Sequence, residues 1–228
     1  MNITSTFSVA GRCEKTGDLG LVVTSSSPAV GARCAHIQYN TGIVLSQNVT
    51  DPRLSSIGLE TMKQGFSATE AVETMKAASY YLEYRQLAAV DTNGDSSVFT
   101  GKYALGVSGE FSAKNVACVG NLLSDPDIPK EMGEAFIANE HLELAERLVT
   151  SIEKGFEMGG ELDNEHSIAL LIYSNTPFPY IDLRVDYSDQ PLLDLKKLLA
   201  VYTPQAHNYQ IRALDPTCAP SYGVKGDE

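Results

Sequence analysis

Hydroxyl and apolar side chains alternate at the start of the chain. Thr4, Thr6 and Ser8 fall on one side of an extended segment, and Ser5, Phe7 and Val9 on the other, because successive strand residues point to opposite faces. This predicts a strand over 4–12. A second strand over 19–25 follows a Gly-containing connection, Glu14-Lys15-Thr16-Gly17-Asp18, suited to a hairpin. Strands over 34–39 and 42–46 flank Asn40-Thr41. Helical spacing then takes over. Leu54, Ile57 and Met62 share one face before Gly65, and Ser67-Ala68-Thr69-Glu70 reads as a capping box opening a helix with Ala68, Ala71, Val72, Met75 and Ala78 inward.

Strands over 84–91 and 97–100 surround Thr92-Asn93-Gly94-Asp95, where Asn-Gly marks a tight turn. The Asp91 to Asp95 stretch superficially resembles a calcium loop but lacks the closing Glu, so a turn is expected. One more strand follows at 115–119, then helices at 129–138 and 142–156. The second of these carries Leu142, Ala145, Leu148, Val149, Ile152 and Phe156 on one side. Strands at 167–173 and 181–186 and a helix over 190–202 complete a single domain, 1–202. Residues 203–228 turn polar and Pro-rich, and read as an extended arm or disordered tail.

Hairpin-length connections favour antiparallel sheets, since parallel neighbours need crossovers. Paired helices between groups of strands would cover the outer faces of two stacked sheets. The expected class is therefore α+β, a four-layer αββα sandwich of mainly antiparallel sheets. A doubly wound parallel sheet is the alternative.

Composition narrows the function. The 228 residues hold 17 basic and 29 acidic side chains, a formal charge of −12. With no basic run there is no electrostatic footprint for nucleic acid. No apolar stretch approaches the roughly 18 residues of a membrane helix, and no signal peptide is evident. A cytoplasmic protein without a membrane partner is expected. Cys13, Cys34, Cys118 and Cys218 are scattered, which gives no zinc spacing. No metal or cofactor is expected. A tail able to wrap a neighbour points to a homo-oligomer.

The chemistry-bearing residues cluster near strand ends. A hydroxyl close to a chain start can use a terminal amine as its base. Thr6 would meet that condition if Met1 to Ser5 were removed. Ser25, Ser26 and Ser27, with Asn121, could donate to a developing oxyanion. Arg33 and His36 could lower a neighbouring amine's pKa or hold an anionic group. Gln47, Asn48 and Asp51 form a polar loop able to orient a substrate, although Asp51 before Pro52 also fits a helix cap. Thr suits any strand and Ser any turn, so these residue types alone equally fit a structural role.

Thr6-Phe7-Ser8-Val9, Thr16-Gly17-Asp18-Leu19-Gly20, the run from Ser25 to Cys34, and Gln47-Asn48-Val49-Thr50-Asp51-Pro52 together resemble a bacterial family known as domain of unknown function 1028. Gly120-Asn121-Leu122-Leu123, Ala145-Glu146-Arg147-Leu148 and Asp182-Leu183-Arg184-Val185-Asp186 extend the likeness to about Tyr202. The resemblance implies a fold like that of the N-terminal nucleophile hydrolases. It also places Thr6 where the initiator methionine of such proteins is commonly followed by threonine. Five residues precede Thr6 here, and Gly159-Gly160-Glu161 stands where Gly-Gly-Asp is usual.

The leading reading is an amide-bond hydrolase for a small or acylated substrate, with Thr6 as nucleophile and Arg33 as electrostatic partner. A hydrolase acting through Ser8 or Cys34 is a variant of it. The alternative is a non-catalytic ligand-binding or assembly protein that keeps the sandwich.

Overall fold

The computed structural model describes residues 5–226, so Thr4 of the expected first strand lies outside it. Strands β1 (Thr6–Arg12) and β2 (Leu19–Ser25) form the first hairpin. A four-residue helix α1 (Gly31–Cys34) leads into a second hairpin, β3 (Ala35–Gln38) and β4 (Gly42–Asn48). Helices α2 (Pro52–Lys63) and α3 (Ala68–Ala78) follow. The Ser67–Glu70 capping box forms in both directions. Then come β5 (Arg85–Asp91), β6 (Ser96–Thr100), β7 (Gly109–Ala113) and β8 (Val116–Asn121), and helices α4 (Ile128–Ala138) and α5 (Leu144–Glu157). The chain closes with β9 (Ser167–Tyr173), β10 (Ile181–Val185) and α6 (Pro191–Leu214).

The strands make a six-stranded sheet, β10-β9-β2-β1-β8-β7, and a four-stranded sheet, β3-β4-β5-β6. Every pairing is antiparallel, which gives the α+β sandwich and not the parallel alternative. Strand alternation builds three apolar layers. Phe7, Val9, Val22 and Cys118 pack outward against Met132, Leu148 and Ile152 of α4 and α5. Ala10, Leu21, Val23 and Val119 face Ile43, Leu45 and Ala88 across the gap between the sheets. Val44, Leu87 and Ala89 meet Leu54, Val72 and Met75 of α2 and α3.

The structure departs from the sequence expectations in four elements. α1 and β7 are additional elements; β7 is a half-buried edge strand opening on Gly109, a weak strand signal. β4 continues through Gln47 and Asn48, read from sequence as a loop. α6 does not stop at Tyr202 but runs on to Leu214 through Pro204. Proline deletes one helical hydrogen bond. The flanking side chains bond nearby carbonyls: Thr203 Oγ1 donates to Leu199 O at 2.8 Å and Gln205 Nε2 to Val201 O at 3.1 Å. At Asp91 the expected turn forms. Asp91 Oδ1 accepts from the amides of Asn93 and Asp95 at 2.8 and 3.0 Å, and among the described residues no group of three metal-ligating side chains occurs. No helix of the described residues is long and apolar enough to cross a membrane.

Candidate functional site

At one end of the intersheet layer, apolar residues give way to polar ones. The strand parity that points Ala10 between the sheets also points Ser8 and Thr6 there. Ser8 is fully buried and donates to Gln47 Oε1 at 2.7 Å. Gln47 Nε2 donates to Gln86 Oε1 at 2.9 Å, and Gln86 Nε2 donates to Gly120 O at 2.9 Å and Thr100 Oγ1 at 3.0 Å. Asn121 Nδ2 donates to Gln86 Oε1 and to Thr6 O, at 3.2 and 3.3 Å. Buried amides arranged in this way tie both sheets to the backbone of Thr6. The structure thus places Ser8, Gln47 and Asn121 beneath Thr6 as its support, not in an accessible cleft.

Thr6 itself lines a cleft of about 480 Å³ together with Ser27, Arg33, Cys34, Asn48 and Leu105. Its Oγ1 donates to Ser5 O at 2.7 Å, and Ser25 Oγ donates to the same carbonyl oxygen. Ser25 Oγ also shares a 2.8 Å hydrogen bond with Ser27 Oγ, to which Arg33 Nη2 donates at 2.6 Å. Arg33 Nη1 reaches Ala29 O at 3.3 Å and also Pro28 O. Ala29 takes a left-handed φ of 55°, so the guanidinium braces a turn that a non-glycine residue resists. Asn48, likewise left-handed at φ 68°, donates through Nδ2 to Tyr84 O at 2.6 Å and accepts from Leu105 N at 3.1 Å. It closes the opposite wall.

His36 and Asp51 stand apart from this cleft. His36 sits on β3 with Nε2 3.3 Å from Arg33 O, and burial pushes its pKa down, which favours the neutral ring. Asp51 caps α2, accepting from Arg53 N at 3.2 Å, and pairs with Arg53 at 2.8 Å and Arg85 at 3.8 Å. The Arg53 hydrogen bond, more than any other cause, holds its carboxyl below the usual range. Cys34 does line the cleft, but burial pushes its thiol pKa up, which disfavours a thiolate nucleophile.

One residue central to the site was not among the sequence candidates. Glu161, 6 % exposed, follows the Gly159-Gly160 turn and bridges to Leu123 just beyond β8. Its Oε2 accepts from Ser26 N at 2.8 Å and from Ser5 Oγ, while Glu165 Oε1 accepts from its backbone N–H at 2.9 Å. Burial raises its pKa to about 8 despite the Ser5 hydrogen bond, and the Glu165 charge adds to the rise. Glu161 lies 156 residues from Ser5 in sequence. The Gly-Gly pair before it was the available signal. A larger cavity of about 530 Å³, lined by Leu144, Ile172, Tyr180 and Leu199, lies at the Asp18 end of β2, opposite Ser25, and holds none of these residues.

The crystal structure of a DUF1028 protein from Silicibacter pomeroyi is similar at 27% identity, with a TM-score of 0.81 over 87% of this chain and 89% of that one. An Anbu (ancestral beta-subunit) from Yersinia bercovieri aligns at 13% identity and TM-score 0.41 over 87% of this chain and 97% of that one. An Anbu from Hyphomicrobium sp. strain MC1 aligns at 12% identity and TM-score 0.40 over 96% and 100%. No curated protein sequence matches the chain. Residues 6–195 match the model of DUF1028, a family of unknown function, and the chain belongs to that family.

Proposed function

We propose that the protein is an amide-bond hydrolase in which Thr6, once its amine is free, attacks a small or acylated substrate. The observation that carries this reading is the meeting of the Thr6 and Ser25 hydroxyls on the Ser5 carbonyl oxygen, beside an open cleft that contains Arg33. Ser25 Oγ polarises that carbonyl and would stabilise an oxyanion formed there, while Thr6 Oγ1 stands beside it as the attacking atom. Hydrolysis of the Ser5–Thr6 bond frees the Thr6 amine, which then takes the hydroxyl proton as Oγ1 adds to the substrate carbonyl. The amide C–N bond breaks, the leaving amine carries off that proton, and water hydrolyses the resulting ester. Arg33 contributes positive charge next to Ser27 and favours the neutral amine needed as base.

The rival reading, a ligand-binding protein without catalysis, draws on one feature: Thr6 is 5 % exposed and its nitrogen belongs to the strand backbone. A dry core beside Thr6 would favour that rival, whereas the residue lines a cleft. Labelling with an electrophilic acyl probe separates the readings. The adduct is expected on Thr6 and absent from Thr6→Ala; labelling that maps to Ser8 or Cys34, or that persists in the variant, contradicts the assignment.

A further inference from the structure

Ser5 is held as a ligand is held. It is 2 % exposed, and each of its polar groups has a partner. Its N–H donates to Ser26 Oγ at 3.2 Å, and its hydroxyl shares a 2.9 Å hydrogen bond with that same oxygen while donating to Glu161 Oε2. Its carbonyl oxygen accepts from Thr6 Oγ1 and Ser25 Oγ. A connecting segment ordinarily leaves such groups to water. A few convergent polar groups around one small unit are the mark of a binding site.

Glu161 supplies an independent observation. Its Oε1 is buried and has no hydrogen-bond partner among the described residues. Leaving a buried carboxyl oxygen unpaired costs free energy that a purely structural residue would avoid. The Gly159-Gly160 turn delivers Glu161. Gly160 has φ +57°, which favours glycine, and a Cβ there would stand 2.1 Å from Glu165 Oε1 and push that side chain aside.

We propose that Ser26 and Glu161 form an acyl-group subsite beside Thr6, now filled internally by Ser5, and that the substrate is an aminoacyl amide whose side chain bears a short hydrogen-bond donor, as serine does. The inference rests on the reading of Thr6 as nucleophile. In a substrate complex the acyl carbonyl takes the place of the Ser5 carbonyl, the amino nitrogen that of the Ser5 nitrogen, and the side-chain donor meets Glu161. Thr6 Oγ1 bonds to the acyl carbon, the amide C–N bond breaks, the leaving amine takes the hydroxyl proton, and water releases the amino acid. Glu161 touches the side chain and not the reacting atoms, so it sets specificity. A site built to bond a hydroxyl rejects the analogue that lacks one, because its own polar groups are then left unpaired.

The test compares release of 4-nitroaniline from seryl- and alanyl-4-nitroanilide by the full chain. The seryl compound is expected to be preferred at least about tenfold in kcat/KM. Glu161→Leu is expected to bring the two within about twofold, and Glu161→Gln, which keeps an acceptor, to retain most of the preference. Ser26→Ala provides a second variant should Glu161→Leu fold poorly, and it too is expected to erode the ratio. Equal turnover of the two compounds, or a preference unmoved in both Glu161→Leu and Ser26→Ala, overturns the subsite while leaving Thr6 in place as nucleophile. No turnover of either compound overturns the hydrolase reading, and the subsite with it.

Discussion

At the scale of single residues, Glu161 has the most distinctive physical chemistry. Its carboxyl is buried against Ser5 and Ser26, with Glu165 nearby in place of a cation. Burial lifts its pKa from 4.5 to about 8. Between those values the folded protein keeps a proton that the unfolded chain has lost, so stability falls as pH rises through the window. The contribution is fully present below the unfolded value and lost above the folded one. Urea unfolding below, within and above this window is expected to show that decline, and Glu161→Gln to flatten it. An unchanged pH dependence in the variant would place the titration elsewhere. Sequence reasoning located Thr6, Ser27, Arg33 and Asn48, all of which line the cleft, because they fall at predicted strand ends and turns. Glu161 escaped it because its contact with Ser5 depends on loop closure beyond β8, which no local pattern encodes.

At the scale of elements, β1 couples the core to the site. Phe7 points toward α5, where its ring meets Phe156 at 5.3 Å between centroids, and Thr6 and Ser8 on either side point between the sheets. The approach is close because Gly155 lies under the ring: a Cβ there would stand 2.7 Å from Phe7 Cε2. Gly155→Ala is therefore expected to overpack this contact, lower stability by about 1–3 kcal/mol and displace β1 beneath Thr6. Chemical denaturation measures the first effect, and acyl-probe labelling of Thr6 the second. Wild-type values for both would show that β1 is not coupled to α5 in this way. Most elements were legible from periodicity, since the alternation in β1 and the helical spacing in α5 answer directly to which face is buried. The extension of α6 past Tyr202 was not, because Pro204 normally signals a helix end and here the chain accommodates it.

At the scale of the whole molecule, the two sheets and three apolar layers exist to bring distant strand ends together. The end of β4, the start of β5 and the end of β8 contribute Gln47, Gln86 and Asn121, and these hold the backbone at Thr6 from below. The end of β2 and the segment before β9 bring Ser25 and Glu161 from the sides. Hairpin-length connections made this sandwich predictable. The cleft was only partly so, because it combines side chains from both sheets. The proposed hydrolase requires the amine of Thr6 to become free. Intact-mass analysis of the purified full chain tests this directly: a species beginning at Thr6 is expected, with Thr6→Ala and Ser25→Ala retaining the preceding residues. A wild-type chain in which every molecule keeps residues ahead of Thr6 would contradict Thr6 as an N-terminal nucleophile.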